Sequence, residues 1–230
     1  MPLQLDPRLQ AVAALVTPGS RVADVGCDHG RLSVYLAQSG RASRVIASDL
    51  RSKPLAKARA LVEKTGCGPL VECRLADGLL GVQSGEVDAV VLAGISGITI
   101  CDILQAAPWV RSGAVQLVMV PANKPEILRR WLAENGFAIE AEQAAIAAGR
   151  PYAVLSARWQ GTPFAPTELW CSLGLLADAP GEAALAWRRK ELHRLERRLN
   201  GLQTGGGDCP QHRQALEQLI AEVRERCREQ

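Results

Sequence analysis

The sequence predicts an α/β protein with a doubly wound, mostly parallel sheet, followed by a C-terminal α-helical hairpin. Two patterns along the 230-residue chain predict this fold. Up to residue 159, short apolar strands alternate with amphipathic helical segments, which is typical of a parallel sheet covered on both faces. After a break rich in Gly and Pro at residues 161–166, the apolar spacing becomes helical throughout. We therefore expect two domains, residues 1–160 and residues 161–230.

The first domain is predicted to begin with a short helix, residues 7–16. The apolar run at 89–94 is nearly continuous, as in a strand buried on both faces. The last two strands, 137–148 and 152–159, are expected to pair with each other at an antiparallel edge. The other predicted strands are 21–26, 44–49, 70–75, 89–94 and 116–121, and the helices between and after them are 31–38, 54–65, 98–105 and 126–135.

The second domain is predicted to be an antiparallel coiled-coil hairpin. Leu192, Leu195, Leu199 and Leu202 recur at heptad-like spacing, and a second periodic segment covers residues 216–227. The Gly-rich residues 204–210 between the two segments predict a turn.

Composition limits the classes of protein to which the chain can belong. A net charge of +3 with 22% charged residues neither requires nor excludes a nucleic-acid partner. Seven Cys without a C-x-x-C spacing favour neither a zinc site nor a disulfide framework, so we expect no bound metal. Unpaired Cys are typical of the reducing cytoplasm, where we expect the protein to be located. No apolar run reaches the roughly 18 residues that span a bilayer, so we expect no membrane partner. The choice between monomer and homodimer stays open.

The turn after the first strand is the strongest functional signal. It reads Asp24-x-Gly26-x-Asp28-x-Gly30 and delivers a strand into a helix N-terminus, a place where α/β folds bind nucleoside cofactors. A dinucleotide fingerprint would need Gly at Asp28 and at Arg31. Carboxylates in the cradle would repel a diphosphate but would attract the sulfonium and ammonium groups of S-adenosylmethionine. The alternative is an ordinary strand-to-helix turn.

Further cofactor residues are predicted at the ends of the next strands. Asp49 follows the second strand by the spacing at which an acid accepts both ribose hydroxyls, although a turn former is the other interpretation. Asp77-Gly78 follows the third strand and is either an adenine contact or an ordinary turn. The predicted cofactor-binding set is Asp24, Gly26, Asp28, His29, Gly30, Asp49, Leu50, Asp77, Gly78, Ala93 and Gly94.

Candidate catalytic residues lie on the same edge. The small residues of segment 93–97 leave room for a substrate ring, or Ser96 simply caps a helix. Asn123, after the fifth strand, is suited to hold a nucleobase edge or belongs to a turn. His29 is either a base or a loop residue bonded to backbone. Asp28 and Asn123 are the predicted catalytic residues.

A basic segment opens the C-terminal domain. Residues 187–198 carry six Arg or Lys side chains and two Glu. Such a face either tracks an RNA phosphate backbone or is the solvated side of a coiled coil. The predicted RNA-binding residues are Arg188, Arg189, Lys190, Arg194, Arg197 and Arg198.

Together these motifs resemble the TrmK-type family of class I methyltransferases, which methylate N1 of adenine 22 in tRNA. The resemblance rests on the turn at residues 24–33, on Asp49, and on segments 76–79, 93–97 and 128–137. The sequence departs from the family pattern on the substrate side. The family's Q-P-N falls on residues 120–122, so that Asn123 comes one residue late, and Ser96 replaces the second Gly of A-G-M-G-G. Arg31 replaces the Tyr of the first turn, and Tyr152 is followed by Ala153 instead of Glu.

The resemblance implies S-adenosyl-L-methionine as cofactor, tRNA as partner and adenine N1 as the methylated atom. Two alternatives stay open: a non-catalytic RNA-binding protein that keeps a cofactor pocket, and a small-molecule methyltransferase whose hairpin dimerises.

Overall fold

The computed structural model describes residues 3–204 and 210–228. Within them a seven-stranded sheet has the order β3-β2-β1-β4-β5-β7-β6. Strands β1 to β5 are parallel, β7 is antiparallel to β5, and β6 is antiparallel to β7. This confirms the predicted fold class. The strands are β1 Ser20–Val25, β2 Ala42–Asp49, β3 Val71–Leu75, β4 Ala89–Ile95, β5 Gln116–Pro121, β6 Phe137–Ala147 and β7 Arg150–Trp159.

The helices agree with the predicted positions to within three residues in the first domain. One helix, α6, and a 3₁₀ turn at Gly174–Ala177 were not predicted, because six residues between a proline and a glycine carry too little periodicity. None of the described helices is long and apolar enough to cross a membrane. The helices are α1 Pro7–Leu15, α2 Arg31–Gln38, α3 Ser52–Lys64, α4 Gly97–Gln105, α5 Pro125–Glu134, α6 Glu168–Leu173, α7 Glu182–Thr204 and α8 Pro210–Arg226, with a further 3₁₀ turn at Pro108–Val110.

Alternate residues of the central strands face two separate hydrophobic cores. Val22 and Val91 pack with helices α1 to α3 on one face of the sheet. Ala23 and Leu92 pack with α4 and α5 on the other. Burial on both faces explains why β4 is apolar along almost its whole length.

A third apolar cluster joins the sheet to the C-terminal helices. Leu155 of β7 packs with Leu176, Trp187, Leu195 and Val223. The apolar stripe of α7 is therefore shared between the sheet and α8, so its heptad spacing does not by itself establish a two-stranded coiled coil. Coiled-coil packing stays a prediction, and most of the predicted turn, residues 205–209, lies outside the described residues.

A buried ion pair in the first part of the chain also contacts the C-terminal part through hydrogen bonds of its arginine. The side chains of Arg129 on α5 and Glu142 on β6 are fully buried and paired. Arg129 Nη1 also donates to the carbonyls of Cys171 and Ser172 on α6, both at 2.9 Å. The predicted domain boundary at residue 160 stays a prediction, but the segments on its two sides share a core.

One edge of the sheet collects the loops that carry the candidate site. The carboxyl ends of the five parallel strands meet there, and such an edge is where α/β sheets bind ligands. Because β7 runs opposite to β5, its first residues, Arg150–Tyr152, lie at the same edge. We call it the carboxyl edge.

Candidate functional site

The turn between β1 and α2 is fixed to the end of β2. The N–H groups of Gly26 and Cys27 both donate to the carbonyl of Ser48, at 2.8 and 2.9 Å. Gly26 and Gly30 have φ angles of 73° and 70°, in the left-handed region that favours glycine. A Cβ on Gly30 would lie 2.9 Å from that of Ala58, so glycine is needed there for space as well.

Asp49 is held at the carboxyl edge by two backbone N–H groups. It is buried at the end of β2. Its Oδ2 accepts from the N–H of Asp28 at 3.1 Å, and its Oδ1 from the N–H of Arg51 at 2.8 Å. Since each carboxylate oxygen accepts more than one hydrogen bond, both can still receive a ligand hydroxyl. Backbone donors therefore aim the carboxylate without saturating it.

A cleft of about 570 Å³ opens beside Asp49 at the carboxyl edge. A recess of about 100 Å³ adjoins it and shares Arg8, Gly26, Asp28 and Ala93 with it. Of the eleven predicted cofactor residues, ten line the cleft, the recess or both: Asp24, Gly26, Asp28, His29, Asp49, Leu50, Asp77, Gly78, Ala93 and Gly94. The eleventh, Gly30, supports the turn from behind, against α3.

Asp24 lines the recess beside the cleft. It is buried, and Ser33 Oγ donates to its Oδ2. Burial raises the pKa of this carboxyl to about 6, against the opposing effect of the Ser33 hydrogen bonds. A buried acid with this pKa is largely ionised at neutral pH and is suited to a cationic ligand group.

Asp28 and His29 form the exposed side of the turn. Asp28 has φ of 49°, uncommon for a residue with a side chain, and its carboxylate is 63% exposed. His29 Nε2 lies 3.3 Å from Lys57 Nζ and 3.7 Å from Asp28 Oδ1. His29 is thus occupied by neighbouring charged groups.

A second, more apolar cavity of about 190 Å³ continues from Asp77 and Gly78. Thr99, Asp102 and Ile103 of α4 and Ala106, its C-cap residue, line its other wall. These helix residues were missed by the sequence reasoning. Their spacing of three to four places them on one face of α4, which is the pattern from which they could have been found.

Arg8 is the most consequential residue that the sequence reasoning missed. It lines both the cleft and the recess, and its guanidinium lies 5.4 Å from the ring centre of Tyr152. Helix α1 brings it there, starting at the N-cap Asp6, whose carboxylate accepts from the N–H of Leu9. A single Arg on a short N-terminal helix gives no local sequence signal for a site formed by loops more than fifteen residues away.

The loops after β4 and β5 lie against each other. Ser96 Oγ donates to Asn123 Oδ1 at 2.8 Å, and the N–H of Gly97 donates to the carbonyl of Asn123 at 2.9 Å. Ser96 precedes α4 as its N-cap residue, but its side chain makes no capping hydrogen bond. Asn123 is exposed at the edge and does not line the cleft.

The basic segment does not form the single exposed face that was predicted. Arg188 is buried, and its Nη1 donates to the carbonyls of Leu176, Ala177 and Ala179, so its prediction as an RNA contact is wrong. Trp187, the aromatic residue beside it, is also buried. Sequence reasoning missed this because it could not identify the 3₁₀ turn whose carbonyls Arg188 satisfies.

The other five cations differ in their surroundings. Arg194 is paired with Glu191 at 2.8 Å and Glu126 at 3.5 Å. Lys190 Nζ lies 3.2 Å from the carbonyl of Pro151 and close to the rings of Trp187 and Tyr152. Lys190 is exposed as a residue, but partial desolvation of its ammonium group lowers its pKa. Arg189, Arg197 and Arg198 are exposed.

Comparison with known proteins places this geometry in a family. A model described as a methyltransferase domain matches residues 5–155. The tRNA (adenine(22)-N(1))-methyltransferase of Bacillus subtilis is 34% identical over 155 residues, which cover 67% of this chain and 65% of that protein. The chain thus matches slightly less than two thirds of the length of this curated relative.

Solved structures match over almost the whole chain. The crystal structure of the B. subtilis tRNA methyltransferase TrmK superposes with a TM-score of 0.83 at 28% identity, covering 98% of this chain and 99% of that one. A Streptococcus pneumoniae protein in complex with S-adenosyl-L-methionine gives 0.83 at 27% identity, covering 97% and 100%. The chain therefore belongs to the methyltransferase-domain family, and its resemblance to the TrmK type is confirmed.

Proposed function

We infer that this chain is a cytoplasmic, S-adenosyl-L-methionine-dependent methyltransferase that methylates N1 of adenine 22 in tRNA. One observation carries the inference: the cleft at the carboxyl edge, where the aimed carboxylate of Asp49 and the buried carboxylate of Asp24 lie beside Arg8. The B. subtilis relative that bears this activity in its name, and the similar structure that holds S-adenosyl-L-methionine, support it.

The described residues fit this cofactor group by group. Asp49 has acceptor capacity for two ribose hydroxyls. The cavity beside Asp77 and Gly78 is mostly apolar and has the acids Asp77 and Asp102 in its lining, which suits an adenine ring and its amino group. The recess offers Asp24 to the ammonium and Arg8 to the carboxylate of the methionine moiety. We also propose Gly26, Asp28, His29, Gly30, Leu50, Ala93 and Gly94 as cofactor-binding residues.

The chemistry needs positioning more than a base. The neutral adenine N1 lone pair forms a bond to the methyl carbon supplied by the bound cofactor while the C–S bonding pair returns to sulfur, which leaves S-adenosylhomocysteine and a cationic 1-methyladenine. No proton has to leave before this step, so holding the two atoms in line is the main contribution of the protein. The carboxylate of Asp28 on the cleft favours the positive charge that develops on the base. Asp28 and Asn123 remain the proposed catalytic residues.

The tRNA is proposed to lie across the carboxyl edge and along α7. Arg189, Lys190, Arg194, Arg197 and Arg198 supply the cations for the phosphate backbone, without Arg188. Since N1 lies on the Watson–Crick edge, the target base has to be unpaired or flipped out to react.

Incubation with labelled S-adenosylmethionine and total tRNA, followed by nucleoside analysis, tests the function. We expect label in 1-methyladenosine and loss of that label when adenine 22 of the tRNA is replaced by guanine. The Asp28→Asn variant keeps the volume of the side chain and removes its charge, so it should transfer methyl groups more slowly. Cofactor binding without transfer to any tRNA would contradict the proposal and favour a non-catalytic RNA-binding protein.

A further inference from the structure

The loops after two adjacent parallel strands form one unit at the carboxyl edge. Besides the hydrogen bond from Ser96 Oγ to Asn123 Oδ1, two backbone bonds connect them. Gly97 N–H donates to the carbonyl of Asn123 at 2.9 Å, and Ala122 N–H donates to that of Ile95 at 2.8 Å. Three hydrogen bonds among five residues leave the loops little freedom to move separately.

The backbone of this unit is held tightly. A Cβ on Gly97 would lie 2.2 Å from the carbonyl oxygen of Lys124, so only glycine permits this approach. Lys124 itself has φ of 55°, a strained angle for a residue with a side chain. Such strain persists only where the surrounding structure fixes the backbone. Here the fixed backbone also sets the position of the neighbouring residue Asn123.

The hydrogen bond from Ser96 also orients the Asn123 amide. It directs Oδ1 toward Ser96, and the Nδ2 group makes no hydrogen bond with any described residue. Oδ1 keeps a second lone pair, so the carboxamide presents one acceptor and two donor hydrogens at the surface. Ile95, which directly precedes Ser96, lines the cleft, so this amide stands beside its mouth.

Methylation at N1 restricts how an adenine can be held. Its Watson–Crick edge has to face the cleft, so that edge is not available for recognition by the protein. The remaining polar edge carries the N6 amino donor and the N7 acceptor, the pair that a carboxamide matches with two hydrogen bonds. Guanine carries an acceptor, O6, in place of the amino group and would set two acceptors against each other.

We propose that Asn123 recognises the target adenine through N6 and N7, and that Ser96 is the positioning residue that holds the amide in the required orientation. This inference rests on the proposed function and assigns its base specificity. As N1 bonds to the methyl carbon, positive charge spreads to the N6 amino group and strengthens its hydrogen bond to Oδ1. Interactions that strengthen in the transition state raise kcat.

The test compares two tRNAs in four proteins. One tRNA carries adenine at position 22 and the other carries 7-deazaadenine, which lacks the N7 acceptor but keeps N1 and N6. Single-turnover rates are measured for the unsubstituted protein and for Ser96→Ala, Asn123→Ala and Ser96→Thr. Because every protein meets the same two RNAs, any difference in intrinsic reactivity between the bases cancels from the comparison.

We expect the preference for adenine over 7-deazaadenine to be on the order of tenfold greater in the unsubstituted protein than in Asn123→Ala, about one hydrogen bond. Ser96→Ala should lose most of the preference and Ser96→Thr should retain it, while cofactor affinity stays unchanged in all three variants. The same ratio in all four active proteins would overturn the inference and leave the proposed function standing. Absence of transfer by the unsubstituted protein to the adenine tRNA would overturn the function itself.

Discussion

The carboxyl edge and helix α7 differ in how well the surroundings of their residues can be predicted from the sequence. At the edge, ten of eleven predicted cofactor residues line the cleft or its recess. Along α7, six cations predicted as one exposed face divide into a buried one, a paired one and others that are exposed. Backbone geometry explains the first result, since a turn with positive φ angles restricts which residues can occupy it. An Arg on a helix has no such restriction, because the segments that pack against the helix decide whether its side chain is buried, paired or exposed.

Substitution of Arg188 and of Arg197 tests most directly the difference between a buried and an exposed arginine of α7. We expect Arg188→Ala to lower the free energy of unfolding by about 3 kcal/mol, because a buried charge-assisted hydrogen-bond network is removed and carbonyls are left without partners. Arg197→Ala, on the exposed side of the same helix, should change it by less than about 0.5 kcal/mol. Urea unfolding followed by circular dichroism measures both. Equal effects would mean that Arg188 does not hold α7 against the 3₁₀ turn.

Asp49→Ala tests whether the acid at the end of β2 binds the ribose of the cofactor. Losing a charge-assisted acceptor should weaken binding of S-adenosylmethionine by about 2 kcal/mol, roughly thirtyfold. Isothermal titration calorimetry measures the affinity, and Asp88→Ala serves as the control because Asp88 pairs with Arg21 away from the cleft. Unchanged affinity in a folded Asp49→Ala protein would remove the ribose assignment.

How much of each region was predictable follows from particular residues. Asp24, Asp49 and the glycines between them were found because spacing along one βαβ unit fixes their places. Arg8 was missed because it reaches the cleft from a helix whose packing no local pattern reveals. Ser96 and Asn123 lie 27 residues apart in two different loops, and only the folded chain brings the two side chains together. Sequence therefore predicts contacts made within a unit and misses those made between units.

The raised pKa of Asp24 gives the edge a pH dependence. A folded-state pKa of about 6 lies above the ordinary value of 3.8, so the folded protein holds this proton more tightly than the unfolded chain. The contribution of Asp24 to the free energy of unfolding is therefore fully present below pH 3.8 and is lost as pH rises through about 6. Binding of a cationic ligand group has the opposite trend, because it needs the ionised acid.

We accordingly expect affinity for S-adenosylmethionine to fall by about tenfold between pH 7 and pH 5. The Asp24→Asn variant should bind more weakly at pH 7 and show a flatter profile across that range. Calorimetry at matched ionic strength measures both proteins. Parallel profiles in the two would assign the pH dependence to another group.

The smallest expected effect concerns Lys190, a cation of α7 that contacts Pro151 and Tyr152 at the carboxyl edge. Its ammonium is 5.9 Å from the ring centre of Tyr152, and the guanidinium of Arg8, which lines the cleft, is 5.4 Å from the same ring. Neither Arg189 nor Arg197 makes such a contact within the described part of the chain. If the RNA backbone passes from α7 to the cleft, Lys190 is where a phosphate meets both regions.

Lys190→Gln should therefore reduce the slope of log affinity for tRNA against log salt by roughly 0.7 to 0.9, the value for one phosphate contact. Affinity for S-adenosylmethionine should not change. Lys64→Gln removes the same charge from the last turn of α3, outside the proposed RNA-binding residues, and should leave the slope unchanged. If the two variants lower the slope equally, RNA responds to the net charge of the protein and not to the place where α7 meets the cleft. A lower slope in Lys190→Gln alone would show that a single side chain of the C-terminal helices takes part in the site at the carboxyl edge.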